Sequence, residues 1–340
     1  MSRIQNVAII GASGALGKII IPHLLSANFT ITIISRPGGH PYYPPPNTIP
    51  IKTLTAAYDD LPALTSALQN QDALIEAYNP SSTIHQRTII RAALAAGIKH
   101  LITNEFGTNT FAPNGSLLPA AAAKITAQRV LEEELEAVVN NADGKPVSLS
   151  WTGIITSTWF DWAIRQGAET FFWVNPAKRT ITRYGSGDQK TCLVHEDVVG
   201  QAVVTVLQNP EKYKNRPAYF ASYNFSTNEM ISIINEIAAE DKVSGKWDDQ
   251  NQKEWEIIDI PDMEGFKEES LRLWDEDRRN GVTDWLHTKA FVMQVYAGFF
   301  DEKNFFGFDF GDRVEPGWLK GRAELKESLR GLIEEVGVEK

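Results

Sequence analysis

Cysteine is nearly absent from this chain: Cys192 is the only one among 340 residues. A single thiol excludes an internal disulfide, offers no thiolate cluster for zinc or another metal, and fits a reducing compartment. Positive charge is also scarce. The 33 lysines and arginines face 43 acids, a formal net charge of −10, whereas a general nucleic-acid binder needs a basic face to displace condensed counterions. No apolar run reaches the ~18 residues of a membrane span, and the first strand-like run opens by Gln5, leaving no room for a signal or transit peptide. The expectation is a cytoplasmic protein without a nucleic-acid or membrane partner.

What is present suits a globular enzyme-sized chain. A hydrophobic fraction of 43% and a charged fraction of 22% supply core and surface in ordinary proportion. The run Asn6 to Ile10 (NVAII) ends at Gly11 and is followed by a helical pattern from Ala15 to Leu25. Further strands are expected at Thr30 to Ile34, Ile49 to Leu54, Ala73 to Tyr78, His100 to Thr103 and Val147 to Trp151. Helices are expected at Leu61 to Leu68, Ser81 to Ala96 and from Pro119 onward, with a proline loop at Pro44-Pro45-Pro46. Alternating strands and helices of this length imply an α/β fold, a Rossmann doubly wound parallel sheet. The expected dinucleotide-binding domain is 1–155, with 194–210 returning to it as a helix from Val194, and 156–340 forms a smaller substrate-binding part. That second part is rich in rings, including Trp159, Phe160, Trp162, Phe171, Phe172 and Trp173, and later Phe299 to Phe310.

The turn Gly11-Ala12-Ser13-Gly14-Ala15-Leu16-Gly17 joins the first strand to the first helix. Glycines three apart let bare backbone approach a pyrophosphate and let the helix pack closely on the strand, with amides aimed at the phosphates. An NAD binder places an acid at the end of the second strand; here Ser35 and Arg36 stand there. A guanidinium binds a 2′-phosphate in bidentate fashion, where a carboxylate would repel it, so the implied cofactor is NADPH or NADP⁺. No Tyr-x-x-x-Lys occurs, and Ala120 stands four residues before Lys124. The tyrosine acid of the main short-chain dehydrogenase branch is thereby excluded.

GASGALG, the strand-end Arg36, the run from Gly97 to Gly107 (GIKHLITNEFG), and the helix carrying Lys124 and Arg129 together resemble the NmrA-like, isoflavone-reductase-like atypical short-chain dehydrogenases. Gly185 to Lys190, Val194 to Val198 and Ser226 to Glu229 resemble later blocks of that family, and the likeness covers roughly residues 4–240. The resemblance implies phenylcoumaran benzylic ether reductase-like chemistry with Lys124 as the catalytic lysine. It implies a cofactor set of Gly11, Ser13, Gly14, Ala15, Leu16, Gly17, Arg36, Asn79, Asn104, Phe106 and Lys124. Those reductases usually carry serine where this chain has Asn104.

A lysine amine in a partly desolvated cleft has its pKa depressed and can exchange a proton with a phenol or carbonyl oxygen. The reading is therefore an NADPH-dependent reductase of a small aromatic or conjugated substrate: an enone, a quinone methide or a benzylic ether. Glu105, Trp159 and Phe160 are the candidate substrate contacts, and His195 is read as a helix cap or solvent contact. Two alternatives stay open: a non-catalytic NADP(H)-sensing regulatory protein, and a non-redox isomerase or cyclase on the same fold. The implied partner is a small molecule, with a homodimer left open.

Overall fold

The computed structural model describes residues 3–44, 51–141, 149–166, 172–244 and 254–337. Pro45, Pro46, Ile49, Val147 and Phe171, each named above, lie outside the described residues. The chain forms two compact units, one from Met1–Phe106, Ala121–Ile155 and Asp197–Ala218, the other from Gly107–Ala120, Thr156–Glu196 and Tyr219–Lys340. Residues 107–120, expected within the first domain, thus belong to the second unit.

The first unit opens with β1 (Asn6–Ile10), α1 (Ala15–Ser26), β2 (Thr30–Ser35), β3 (Lys52–Thr55), α2 (Leu61–Ala67), β4 (Ala73–Glu76) and α3 (Gln86–Ala96). It continues with β5 (His100–Ile102), α4 (Ala122–Asn141) and β6 (Ser150–Ile155). The chain then makes β7 (Thr158–Trp159), α5 (Phe160–Gln166), β8 (Val174–Asn175), β9 (Thr180–Tyr184) and β10 (Lys190–Val194) in the second unit. It next makes α6 (Glu196–Gln208), α7 (Pro210–Tyr213) and β11 (Arg216–Tyr219). The remaining elements are β12 (Tyr223–Ser226), α8 (Thr227–Val243), β13 (Glu256–Ile260), α9 (Met263–Arg279), α10 (Lys289–Phe299) and α11 (Arg322–Val336).

Among the described residues the central sheet has seven strands in the order β11-β6-β5-β4-β1-β2-β3. Pairings from β3 through β6 are all parallel. Short strands this apolar are buried on both faces: Val7, Ala8, Ile9 and Ile10 are closed to solvent, as are Leu74, Ile75, Leu101 and Ile102. The order reverses between β1 and β4, which is where an open α/β sheet forms its ligand crevice, at the carboxyl ends of the strands.

Several strand ends shift from the sequence reading, as where β4 stops at Glu76 rather than Tyr78 and β6 runs on to Ile155, and three further differences change the kind of element. The expected helix from Ser81 begins as a tight 3-10 turn, Pro80–His85, because Asn79 accepts the Ser81 N–H at 3.0 Å and starts it. Pro119 likewise opens a 3-10 turn, and α4 proper starts at Ala122. Val194, expected in a helix, ends β10 beside Trp159 of β7, since an apolar residue at a strand-to-helix junction satisfies either period.

In the second unit the described strands form two three-stranded sheets, β12-β10-β7 and β13-β9-β8. Rings fill its interior: Phe160, Phe220, Phe300, Phe308 and Phe310 are almost fully buried. No described helix is long and apolar enough to cross a membrane.

Candidate active site

The glycine loop separates what the fold needs from what it leaves free. Gly11 has φ +91, and a Cβ built on it falls 2.4 Å from the Ala77 carbonyl oxygen, so β1 and β4 meet there without room for a side chain. A Cβ on Gly17 falls 2.5 Å from the Ala12 backbone, where α1 presses on the loop. Gly14 is different. It is exposed and extended, at φ −74 and ψ 172, and a Cβ there comes no closer than 3.4 Å to any atom of the chain. No close contact within the protein requires glycine at this position, and the space beside it is open.

Gly14 is also the N-cap of α1, and no side chain caps it; the first turn carries no acid. The opening amides of a helix lack partners within it and carry its positive dipole end, a cradle for an anion. Ser13 is half-buried beside them, Ala15 is exposed, and Leu16 and Gly17 are buried, so Leu16 contributes backbone rather than side chain. These groups fit the pyrophosphate of a dinucleotide.

Arg36 follows β2 on the surface, its guanidinium carbon 5.6 Å from the centre of the Tyr58 ring. Stacking of this kind preorders the donor fork and leaves it open to solvent. Tyr58 itself is buried, which pushes its hydroxyl up to about 12 against the opposing pull of Arg36 and of a hydrogen bond with Gly11. It therefore links the glycine loop to the arginine, a role that no local pattern around Tyr58 announces.

At the carboxyl end of β5 the chain makes a tight, buried loop. Phe106 adopts φ +48, left-handed for a bulky residue, at a cost of about 1–3 kcal/mol. The surroundings hold it there: its N–H donates to the Ile154 carbonyl at 2.7 Å, and the Glu105 N–H donates to Thr103 at 2.8 Å. Asn104 donates from Nδ2 to the Tyr78 carbonyl at 2.8 Å and from its backbone to Glu76 Oε2 at 3.3 Å. The asparagine thus ties the ends of β4 and β5 together, which accounts for its local hydrogen bonding. Asn79, next along, is exposed and caps its turn.

Glu76, at the end of β4, was not a sequence candidate. It is 1% exposed, and Gln86 donates to its Oε1 at 2.9 Å while Tyr78 donates to Gln86. Burial raises its pKa to about 8, outweighing those hydrogen bonds, and the Glu105 charge pushes the same way. In the unfolded chain this carboxyl titrates near 4.5. Its contribution to stability is therefore fully present below that value and is lost as pH rises through the folded value. Melting temperature should fall between about pH 5 and about pH 8.5 in the wild type and less steeply in Glu76→Gln, which keeps the shape without the ionisation. Equal slopes in the two proteins would refute this assignment.

Lys124 sits in the first turn of α4 and donates to the Glu105 carbonyl. The side chain is partly exposed, but burial of its amine lowers the pKa below that of an ordinary lysine, against the opposing Glu105 charge. Gln128, one turn on, donates to Glu105 Oε1 at 2.7 Å, so both ends of Glu105 are committed to α4. The helix itself is anchored by Leu131 in the core and by Arg91, whose Nε lies 2.8 Å from Glu134. Lys124, Glu105, Asn104, Phe106, Glu76 and Tyr78 thus converge around the β4 and β5 strand ends. Trp159 and Phe160 belong to the second unit. Phe160 is closed to solvent, its ring 4.7 Å from His195 and 5.6 Å from Tyr223, so it is core rather than a substrate wall. Trp159 is half-buried and keeps accessible surface.

The NmrA-like family model matches residues 3–246. The chain belongs to the NmrA-like family. Oxidoreductase poxI of Penicillium oxalicum is 33% identical over 226 residues, covering 66% of this chain and 68% of the relative. Among solved structures, AtPrR2 with NADP⁺ and (+)pinoresinol superposes with a TM-score of 0.65 at 15% identity, covering 99% of each chain. The leucoanthocyanidin reductase–NADPH complex from Vitis vinifera gives 0.64 at 15% identity, covering 97% of this chain and 99% of that one. At such identities these two likenesses establish the fold, an NmrA-like Rossmann sheet.

Proposed function

We propose that this NmrA-like protein is an NADPH-dependent reductase of a small aromatic or conjugated substrate, with Lys124 as its general acid or base. The observation that carries the reading is a lysine amine with lowered proton affinity, held by the Glu105 carbonyl on the sheet whose switch-point crevice bears the uncapped glycine loop. The solved relatives named above carry NADP⁺ or NADPH, and the curated relative is named an oxidoreductase.

Gly11, Ser13, Gly14, Ala15, Leu16 and Gly17 would hold the pyrophosphate, and Arg36 the 2′-phosphate. Asn79, Asn104 and Phe106 would border the nicotinamide end at the strand termini. NADPH, when bound, supplies the hydride and its electron pair. The chain's own contribution is the proton: Lys124 Nζ gives it to, or takes it from, the substrate oxygen, while the Glu105 carbonyl fixes the amine's position. Glu105, buried and held by Lys124 and Gln128, positions the lysine rather than contacting substrate, which leaves Trp159 as the remaining candidate contact.

Purified protein incubated with NADPH and a panel of enones, quinone methides and benzylic ethers tests the reading. NADPH oxidation coupled to formation of reduced product is expected for at least one class. Product formation without NADPH oxidation would replace reductase by isomerase, and cofactor binding without turnover of any class would leave a sensor. Arg36→Ala is expected to weaken NADPH by roughly 10- to 100-fold, the worth of a charge-assisted hydrogen bond, and to leave NADH unchanged. An equal loss for both cofactors would remove the 2′-phosphate role.

A further inference from the structure

The second unit holds an ordered relay of three side chains that the proposed reduction does not use. His195 Nδ1 lies 2.8 Å from Asp161 Oδ2, and its Nε2 lies 2.8 Å from Ser328 Oγ. Asp161, in the first turn of α5, is 2% exposed; its Oδ1 accepts the Glu196 N–H at 3.0 Å, and Arg165 reaches Oδ2 at 3.2 Å. Burial works to raise the Asp161 pKa, but hydrogen bonds from His195 and from the Glu196 and Trp162 amides help hold it below the ordinary carboxylate value. An ionised carboxylate can only accept, so Nδ1 carries the hydrogen and donates. In the neutral imidazole Nε2 is then an acceptor, and the Ser328 hydroxyl donates to it. The roles fall in the order of an acid-oriented base and its nucleophile.

Two observations distinguish this relay from a closed core network. His195 and Ser328 both line an open cavity of about 420 Å³ that also takes in Tyr223, Lys320 and Leu332. The imidazole is also fixed in orientation, edge-on to Phe160 at 4.7 Å and to Tyr223 at 5.9 Å, while part of its side chain stays exposed.

We propose that Ser328, His195 and Asp161 form a second, hydrolytic site that takes neutral esters of small carboxylic acids. Ser328 Oγ bonds to the acyl carbon as its proton passes to His195 Nε2, and the carbonyl electron pair moves onto oxygen. Collapse of the adduct breaks the bond to the alkoxy group, which leaves with the proton from Nε2. Water repeats the sequence on the acyl-serine, releasing the acid and restoring the hydroxyl. The cavity lining carries three carboxylates, Glu324, Glu327 and Glu335, against two cations, Lys320 and the Arg165 that pairs with Glu335 at 3.0 Å, and this acidic balance favours a neutral substrate over a free carboxylate.

Ser328 lies mid-way along α11, so its amide belongs to the helix ladder and cannot stabilise the oxyanion. That task falls to the Lys320 ammonium on the cavity wall, because the Tyr223 hydroxyl beside it already donates its proton to the Glu324 carbonyl at 3.2 Å. Losing a backbone donor costs on the order of 10²- to 10³-fold in turnover. Acylation should therefore be easier to detect than rapid turnover.

The full-length protein is treated with a fluorophosphonate and, separately, with p-nitrophenyl acetate, and the adducts are mapped by mass. One adduct on Ser328 is expected, absent in Ser328→Ala and formed at least about 100-fold more slowly in His195→Gln, the scale of general-base assistance. Preincubation with p-nitrophenyl acetate should slow the fluorophosphonate reaction. Circular dichroism melts identify a variant that fails to fold; Ser328→Ala removes one hydroxyl, and with the competition it keeps the test decisive. No adduct, an adduct elsewhere, or an unchanged rate in folded His195→Gln would overturn the proposal.

Discussion

Lys124→Met is expected to lower kcat by roughly 10²- to 10⁴-fold, the usual worth of a positioned proton donor, while cofactor affinity changes little. Methionine keeps the length and packing of the side chain and removes only the proton and charge. Because burial lowers the lysine's pKa, the wild-type reduction should lose rate as pH rises through a value below the ordinary lysine range, 10.5 in the free side chain. The sign follows from the role: a donor must be protonated, so its activity lies on the acid side of its own titration. Steady-state rates across pH check both statements. The variant should be slow everywhere and lack that alkaline limb, and retention of full rate would remove Lys124 from the mechanism.

The second large effect concerns Gly14. Gly14→Val should fold with near-normal stability, since the position is exposed and extended and a Cβ there makes only ordinary contact, 3.4 Å from the Gly11 carbonyl oxygen. It should nevertheless weaken NADPH binding by ~100-fold or more, the loss of one to two hydrogen bonds to charged oxygen at about 1.5–3 kcal/mol each. Gly11→Ala should behave oppositely, because its Cβ collides with the Ala77 carbonyl in a left-handed backbone: the melting temperature falls first. Melts and titrations on both variants separate a fold requirement from a ligand requirement. A stable, fully binding Gly14→Val protein would show that the loop holds no phosphate.

Much of this was legible in the sequence because the signals were local. NVAII ends at the first glycine and becomes β1 with unchanged bounds, and the alternation that follows gives the parallel order about β1. Lys124 was legible only through family resemblance, since a lysine on a helix carries no mark of its desolvation. Tyr58, Glu76 and Gln86 were not legible: their significance arises when β3, β4 and α3 bring together residues that no short motif connects. The same holds more strongly for His195, whose serine partner lies 133 residues away. Phe160 was misplaced for a related reason, because composition shows that rings cluster but not which ring faces inward.

If the uncapped glycine loop and Arg36 together hold a dinucleotide carrying a 2′-phosphate, calorimetric titration of the wild-type protein with NADPH and with NADH, at one pH and ionic strength, will separate the two cofactors. NADPH should bind one-to-one and at least ~10-fold more tightly, a difference of about 1.4 kcal/mol. No heat of binding with either cofactor, or equal affinity for both, would contradict it.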